Sequence, residues 1–231
     1  MTRQYRFCIA AFAFILIEMT LITFVDQPLA EYLHTVDSTH PFLIDIFRAY
    51  TDLGKSAWYL WPSGFAIILC AILVQTKTLK LKIRKRTGQI GQKFFFLFMC
   101  VAVSGIVTDI IKPILGRARP VELVRDHFYG FQPFSFQATF NSMPSGHATT
   151  AFALAFALIY LFPRGRVAFI ALALVLALSR MMVNAHFLSD VIAGGVVGYL
   201  TVFFFQRAMN YNGMFHVIHC IFPIDRKEAR H

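Results

Sequence analysis

Apolar and polar residues fall into long blocks along this chain instead of alternating with a short period. Six apolar runs stand out, at 7–25, 57–76, 94–111, 148–162, 167–178 (extended to about 183) and 187–206. A helix crosses a bilayer in roughly 17 to 25 residues. The pattern therefore predicts an all-α bundle of six transmembrane helices, forming one integral-membrane domain over residues 1–231. The fourth run is long enough only if its helix begins inside the turn ahead of it. The first run follows Arg3 and Arg6, as the core of a signal peptide would. However, its apolar part is too long and no small-residue cleavage site follows, so a retained helix is expected.

The segments between the runs are read as follows. Residues 26–56 form an outer segment in which 41–47 is apolar on one face and lies in the interface. Trp58, Tyr59 and Trp61 form an aromatic belt at the next helix start. Pro113 marks the exit from the third helix, with Asp109 and Lys112 spaced to pair one turn apart. Residues 121–143 make a longer outer loop with Phe128, Tyr129, Phe131, Phe134, Phe136 and Phe140, suited either to acyl-chain contact over a site or to ordinary interfacial packing. Gly194, Gly195 and Gly198 permit close helix packing. The tail from Asn210 is amphipathic.

Hydrophobic residues make up 57% of the chain, which excludes a soluble domain with one core. The net charge of +10 raises nucleic acid as a partner, but the distribution of the charges argues for the bilayer instead. Lys77, Lys80, Lys82, Arg84, Lys85, Arg86 and Lys93 fall between runs two and three, and Arg164 and Arg166 between runs four and five. Arg3 and Arg6 precede the first run, and Arg207, Arg226, Lys227 and Arg230 follow the last. With six crossings all of these share one side, which the positive-inside rule makes cytoplasmic, with both termini. Asp26, Glu31, Asp37, Asp45, Asp52, Glu122 and Asp126 share the other. Cys8, Cys70, Cys100 and Cys220 show no paired spacing, so neither a disulfide nor a metal cluster is expected. His216, His219 and Cys220 lack a fourth ligand nearby.

Three polar clusters carry the chemistry. Asn141-Ser-Met-Pro-Ser-Gly-His147 is a turn opening a helix, where unpaired first-turn amides and the helix dipole favour an anion. Upstream, Lys112, Arg117 and Arg119 bring cations, and downstream Arg180 adds a fourth. Arg forks match phosphate oxygens bidentately, and Lys supplies a compact charge. His186 and Asp190, four residues apart, form a base with its orienting acid on one face of the sixth helix, and His147 is a second imidazole. Counting crossings puts all three clusters on the outer face. They read as nucleophile plus general acid for phosphoryl transfer, with the cations neutralising the oxyanions and no metal or other cofactor required.

Lys112, six residues, Arg119-Pro120; Pro144-Ser145-Gly146-His147; Ser179-Arg180, five residues, His186, three residues, Asp190: in order and spacing, this resembles the three-part signature of the type 2 phosphatidic acid phosphatase superfamily. The resemblance covers residues 94 to 206. It implies that Lys112, Arg119, Ser145, Gly146 and Arg180 hold the phosphate. It further implies that His186 attacks phosphorus to give a phosphohistidine, that Asp190 orients it, and that His147 protonates the leaving oxygen. Nothing carries over to Arg117.

The leading expectation is thus a metal-independent lipid phosphatase in a bacterial inner membrane, with its active site at the periplasmic interface. Undecaprenyl diphosphate, phosphatidylglycerophosphate, phosphatidic acid and the 1-phosphate of lipid A are its candidate substrates. The alternative is a transporter or channel with an interfacial anion site, which would scatter charges through helix middles, where only Glu18 is found. A vanadate-dependent haloperoxidase shares the site chemistry, but those enzymes are soluble.

Overall fold

The computed structural model describes residues 3–76 and 79–210. Helix α1 (Arg3–Thr20) passes through a π-helical segment, Leu21–Val25, into α2 (Asp26–Thr39) without leaving the helix. The sequence reading ended this helix at 25. Asp26 and the polar residues beyond it lower the hydropathy but not the helix propensity. A short break at His40 then leads to α3 (Pro41–Thr51), which has proline in its first turn, where its missing N–H costs nothing. Its apolar face packs on α8, with Ile44 fully buried. A 3₁₀ turn, Asp52–Gly54, precedes α4 (Ala57–Gln75).

Helix α5 (Leu81–Leu115) is 35 residues long. It takes in Lys82, Arg84, Lys85, Arg86 and Lys93, which the hydropathy pattern had assigned to a loop. It also runs past Pro113 for two residues. The short α6 (Pro120–Asp126) lies in the connection to α7 (Gly146–Leu161), followed by α8 (Arg166–Met182) and α9 (Leu188–Asn210). The expectation for the fourth run holds, because α7 begins inside the turn, at Gly146. Among the described residues there is no β-strand, only an isolated bridge between Arg117 and Phe131.

Among the described residues, five helical stretches are long and apolar enough to cross a membrane: Gln4–Thr39, Pro41–Gln75, Leu81–Leu115, Pro163–Met182 and Leu188–Met209. A sixth apolar helix, Gly146–Leu161, has 16 residues. This short helix is the centre of the bundle, packing on α9, α8 and α5. Its buried face is almost all alanine, at 148, 151, 153, 155 and 157. Small residues let helix backbones approach in lipid, where dispersion and not hydrophobicity drives association. A Cβ on Gly194 would lie 2.5 Å from the Ser145 carbonyl oxygen, and one on Gly198 2.7 Å from that of Thr149. Larger side chains, Phe96, Val202 and Phe205, fill the far end against Ala153 and Ala157.

The polar clusters meet at the other end. Lys112 is in the last turn of α5, Gly146 opens α7, Arg180 is near the end of α8 and Asp190 is in the first turn of α9. Cys70 and Cys100 are buried and unpaired, and Cys8 is exposed. The amphipathic tail beyond 210, with His216, His219 and Cys220, lies outside the described residues.

Candidate active site

Two turns bring the motif residues together. Helix α5 ends at Gly116, whose φ of +59° is costly for any residue with a Cβ. Its N–H bonds the Lys112 carbonyl at 2.8 Å. The chain then runs extended beside residues 130–132, where Ala118 N–H donates to Gly130 O at 3.0 Å and Gln132 N–H to Gly116 O at 2.7 Å. Arg119 N–H donates to Thr139 O at 2.8 Å, and Ser142 N–H to Arg117 O at 3.0 Å. Arg117 and Arg119 are therefore held by backbone on both sides.

The second turn caps α7. Ser145 is its N-cap, with Oγ accepting from Ala148 N–H at 3.5 Å and the carbonyl accepting from the Thr149 hydroxyl at 3.0 Å. Ser145 N–H donates to the Asp190 carbonyl at 2.9 Å, tying α7 to α9. The Gly146 and His147 amides lie in the first turn, where a helix has no partner of its own to offer. A Cβ on Gly146 would come within 3.3 Å of Lys112 Nζ, so glycine leaves that space to the ammonium.

Lys112, Arg119 and Arg180 converge here, close enough to act on one another electrostatically. Lys112 has only a long contact, 3.8 Å, to the exposed Asp109. Arg180 donates from Nη1 to Thr51 Oγ1 at 2.8 Å. The Nε–H groups of Arg119 and Arg180 are buried and have no partner among the described residues. Burial pushes the Arg119 guanidinium below its ordinary pKa, against the opposing pull of Asp190. His147 has Arg180, His186, Lys112 and Lys55 as electrostatic neighbours. The turn at Gly54 lies directly on its ring, since a Cβ there would be 2.7 Å from His147 Cδ2.

His186 is not on the sixth helix as the sequence reading had it, but in the connection before α9. The cause is Asp190 itself. As the third residue of α9, it reaches back to accept the Phe187 N–H at 2.8 Å, the acidic half of a capping box, which starts the helix after His186. His186 Nδ1 lies 3.7 Å from Asp190 Oδ2, too far for a direct hydrogen bond. Ser142 sits between them, donating to Asp190 Oδ2 at 2.5 Å with its Oγ 3.5 Å from His186 Nδ1. Burial pushes the His186 imidazole down to about 4, with Asp190 opposing. At neutral pH the ring is uncharged.

Arg117 does not join Lys112, Arg119 and Arg180, although the sequence reading had counted it with them as one of four cations. It is fully buried and turned to the other side of Asp190. Its Nη1 donates to Asp190 Oδ1 at 2.6 Å and to the Ser189 hydroxyl, and its Nη2 to Asp26 Oδ2 at 2.7 Å and Tyr129 Oη at 3.2 Å. Phe187, Phe131 and Tyr129 surround it with ring centroids 4.6, 5.5 and 5.9 Å from Cζ. Tyr129 in turn donates to the Ile22 carbonyl in the π segment of the first helix. Of the aromatic residues in the 121–143 connection, Tyr129 is half-buried against Arg117, Phe131 lies beside the same guanidinium while still exposed, and Phe128 packs on Phe140 while still exposed; Phe134 and Phe136 are the most exposed.

Comparison with known proteins agrees with this geometry. Residues 93–214 match the PAP2 superfamily. A lipid A 1-phosphatase of Rhizobium etli is 52% identical over 163 residues, 65% of this chain and 67% of the relative. One from Rhizobium johnstonii is 41% identical over 161 residues, 64% of this chain and 60% of the relative's length. Two solved structures share the fold. The transmembrane PAP2-type phosphatidylglycerolphosphate phosphatase of Bacillus subtilis superposes with a TM-score of 0.58 at 18% identity, over 88% of this chain and 96% of that one. Aquifex aeolicus LpxE gives 0.52 at 19% identity, over 77% and 93%. All three signature clusters lie inside the matched region and meet at one end of the bundle, and on that combined ground the chain belongs to the PAP2 superfamily.

Proposed function

We propose that this protein is a metal-independent lipid A 1-phosphatase of the bacterial inner membrane, working at the periplasmic interface through a phosphohistidine. The observation that carries the phosphatase reading is the pair of buried guanidinium Nε–H donors, on Arg119 and Arg180, that have no partner among the described residues. Unpaired buried donors are costly, and a phosphate with its oxygens also on Lys112 and the Ser145–Gly146 helix start would satisfy them. Next to them is a neutral imidazole backed by a carboxylate.

In the proposed reaction His186 attacks phosphorus through Nε2, since Nδ1 faces Ser142 and Asp190. The bond to the lipid oxygen breaks and His147 gives that oxygen its proton. Asp190 holds the positive charge that the His186 ring acquires. Water, losing a proton to His147, then breaks the nitrogen–phosphorus bond and frees phosphate. Lipid substrates fit the surroundings. A groove of about 350 Å³ includes Tyr50, Leu53, Tyr59, Leu154, Phe169 and Leu176 among its walls, next to Thr51 and Gly54. Lipid A is favoured over other lipid phosphates by the likeness to the two Rhizobium enzymes of that name. The outward orientation rests on the basic residues at the opposite end of α5 and in the turn before α8.

The test is phosphate release by the purified full chain from lipid A 1-phosphate, phosphatidic acid, phosphatidylglycerophosphate and undecaprenyl diphosphate. The largest kcat/KM is expected for lipid A. A higher value on another lipid would replace the substrate, and no release from any would overturn the reading.

A further inference from the structure

We propose that Asp26 and Arg117 are positioning residues for His186, acting through Asp190. The first helix, outside the matched family region, then becomes part of the catalytic apparatus. The inference rests on the phosphohistidine reading above.

The first helix buries acids where a docking helix would bury hydrophobes. Among residues 4–29 only Glu18 and Asp26 are buried. At 3.6 residues per turn the step from Glu18 to Asp26 would rotate the second by about 80° from the first. The wider turns of the π segment, Leu21–Val25, lie between them and take up part of that rotation, bringing both to the inner face. Neither Glu18 oxygen has a hydrogen-bond partner. Asp26 has a full set. It accepts from Arg117 Nη2 at 2.7 Å, from Ser189 N–H at 3.1 Å and from the Ser189 hydroxyl. It therefore satisfies a first-turn amide of α9, the helix that carries Asp190, as well as the guanidinium.

The charges explain why a second acid is needed. Asp190 offers Oδ1 to Arg117 and Oδ2 to Ser142 and the Phe187 amide, on the side of His186. Arg117 alone would neutralise Asp190 and leave it a poor partner for the imidazolium formed on attack. Asp26 shares the guanidinium, so the buried trio of Asp26, Arg117 and Asp190 keeps a net negative charge beside His186. The other titratable and charged groups facing Arg117, Asp190 and His186 are Glu18, Tyr129, Lys112, Arg119, Arg180 and His147. Asp26 pairs with Arg117 and Ser189, not with Lys112, Arg119 or Arg180, so its loss removes no hydrogen bond or ion pair from those three cations.

The experiment compares wild type, Asp26→Asn and Asp26→Asn/Arg117→Gln as purified full chains. Asp26→Asn should lower kcat about ten- to hundredfold, the order of loss seen when the group behind a metal-bound histidine is removed. KM and the vanadate inhibition constant should stay within about twofold, and Asp26→Glu should recover part of kcat. Rapid-quench formation of the acid-labile phosphoenzyme should slow in step. The double variant removes both charges and leaves Asp190 unneutralised, so its kcat should return to within about tenfold of wild type. It decides the matter even if the single variant folds poorly. Wild-type kcat in Asp26→Asn, a parallel loss of vanadate affinity, or a double variant as dead as His186→Ala would each overturn the inference. A wild type without any phosphoenzyme would overturn the phosphohistidine reading, and this inference with it.

Discussion

Arg180, near the end of α8, is anchored on Thr51, the last residue of α3, through a hydrogen bond of 2.8 Å from Nη1 to Oγ1. Ser179 donates to the same oxygen at 3.1 Å. A hydrogen bond to a charged group contributes about 1.5–3 kcal/mol. Thr51→Val should therefore lower kcat/KM roughly 10- to 100-fold, while Thr51→Ser stays near wild type. Steady-state kinetics on a lipid phosphate check this. Full activity in Thr51→Val would show that Arg180 holds its place without the hydroxyl.

Replacing Arg119 or Arg180 by Lys keeps the charge and removes the planar fork with its Nε–H. Each variant should lose on the order of 10²–10³ in rate, the usual result of losing one transition-state donor, with an unchanged thermal transition. Near-normal turnover would take that arginine out of the phosphate site.

The contact between Gly54 and His147 gives a substrate-dependent prediction. A methyl group at 54 would lie 2.7 Å from His147 Cδ2 and displace the ring. A lipid alkoxide leaves badly and needs the proton of a general acid, whereas nitrophenolate hardly does. Gly54→Ala and His147→Ala should both retain a much larger fraction of activity on nitrophenyl phosphate than on the lipid. An equal loss on both substrates would make His147 a phosphate ligand.

For His186, whose pKa falls from 6.5 to about 4 in the folded chain, the sign is as follows. Between those values the unfolded chain binds a proton that the folded one does not. Folded stability is thus lost as pH drops through that window, by up to roughly 3 kcal/mol at its lower end. Thermal unfolding of wild type should weaken from pH 6.5 to 4 more than that of His186→Gln. In NMR of labelled histidines the His186 ring should titrate near 4. A ring titrating at 6.5 would contradict its burial as a neutral group.

Among the described residues no group of three or more His, Cys, Asp or Glu side chains is placed to hold a metal ion. Turnover should persist in excess chelator, and vanadate should inhibit at low concentration by taking the place of the transferred phosphoryl group. Chelator-sensitive turnover restored by Mg²⁺ would contradict the proposed mechanism.

The members of this site that were legible in the sequence are those whose spacing is local. Asp190 lies four residues from His186, and Ser145-Gly146-His147 is one helix start. The supporting residues were hidden because their partners are far away in the chain. Arg117 meets Asp26 across 91 residues, and Arg180 meets Thr51 across 129. Asp26 had been read as one of several outer acids, and Arg117 as one of four cations around the start of the Ser145-Gly146-His147 helix. The available signal was position, an acid at the very end of the first apolar run and an arginine two residues before another. Hydropathy located the apolar helices but misjudged helix ends at 25 and 94. It reports immersion in lipid, and helices continue into water wherever propensity allows.

The glycine contacts between α9 and α7 bear on how the enzyme meets membranes of different thickness. At 16 residues, α7 is short for a bilayer, and mismatch of that kind is relieved by tilting or by local thinning. Backbone rests on backbone at Gly194 and Gly198, so no side chain there can change rotamer to let one helix tilt alone. The two helices must lean as one body. Lipid composition can then change how deep the polar end of the bundle lies below the headgroups while leaving the spacing between the helix that opens at Gly146 and the one that opens at Leu188 unaltered.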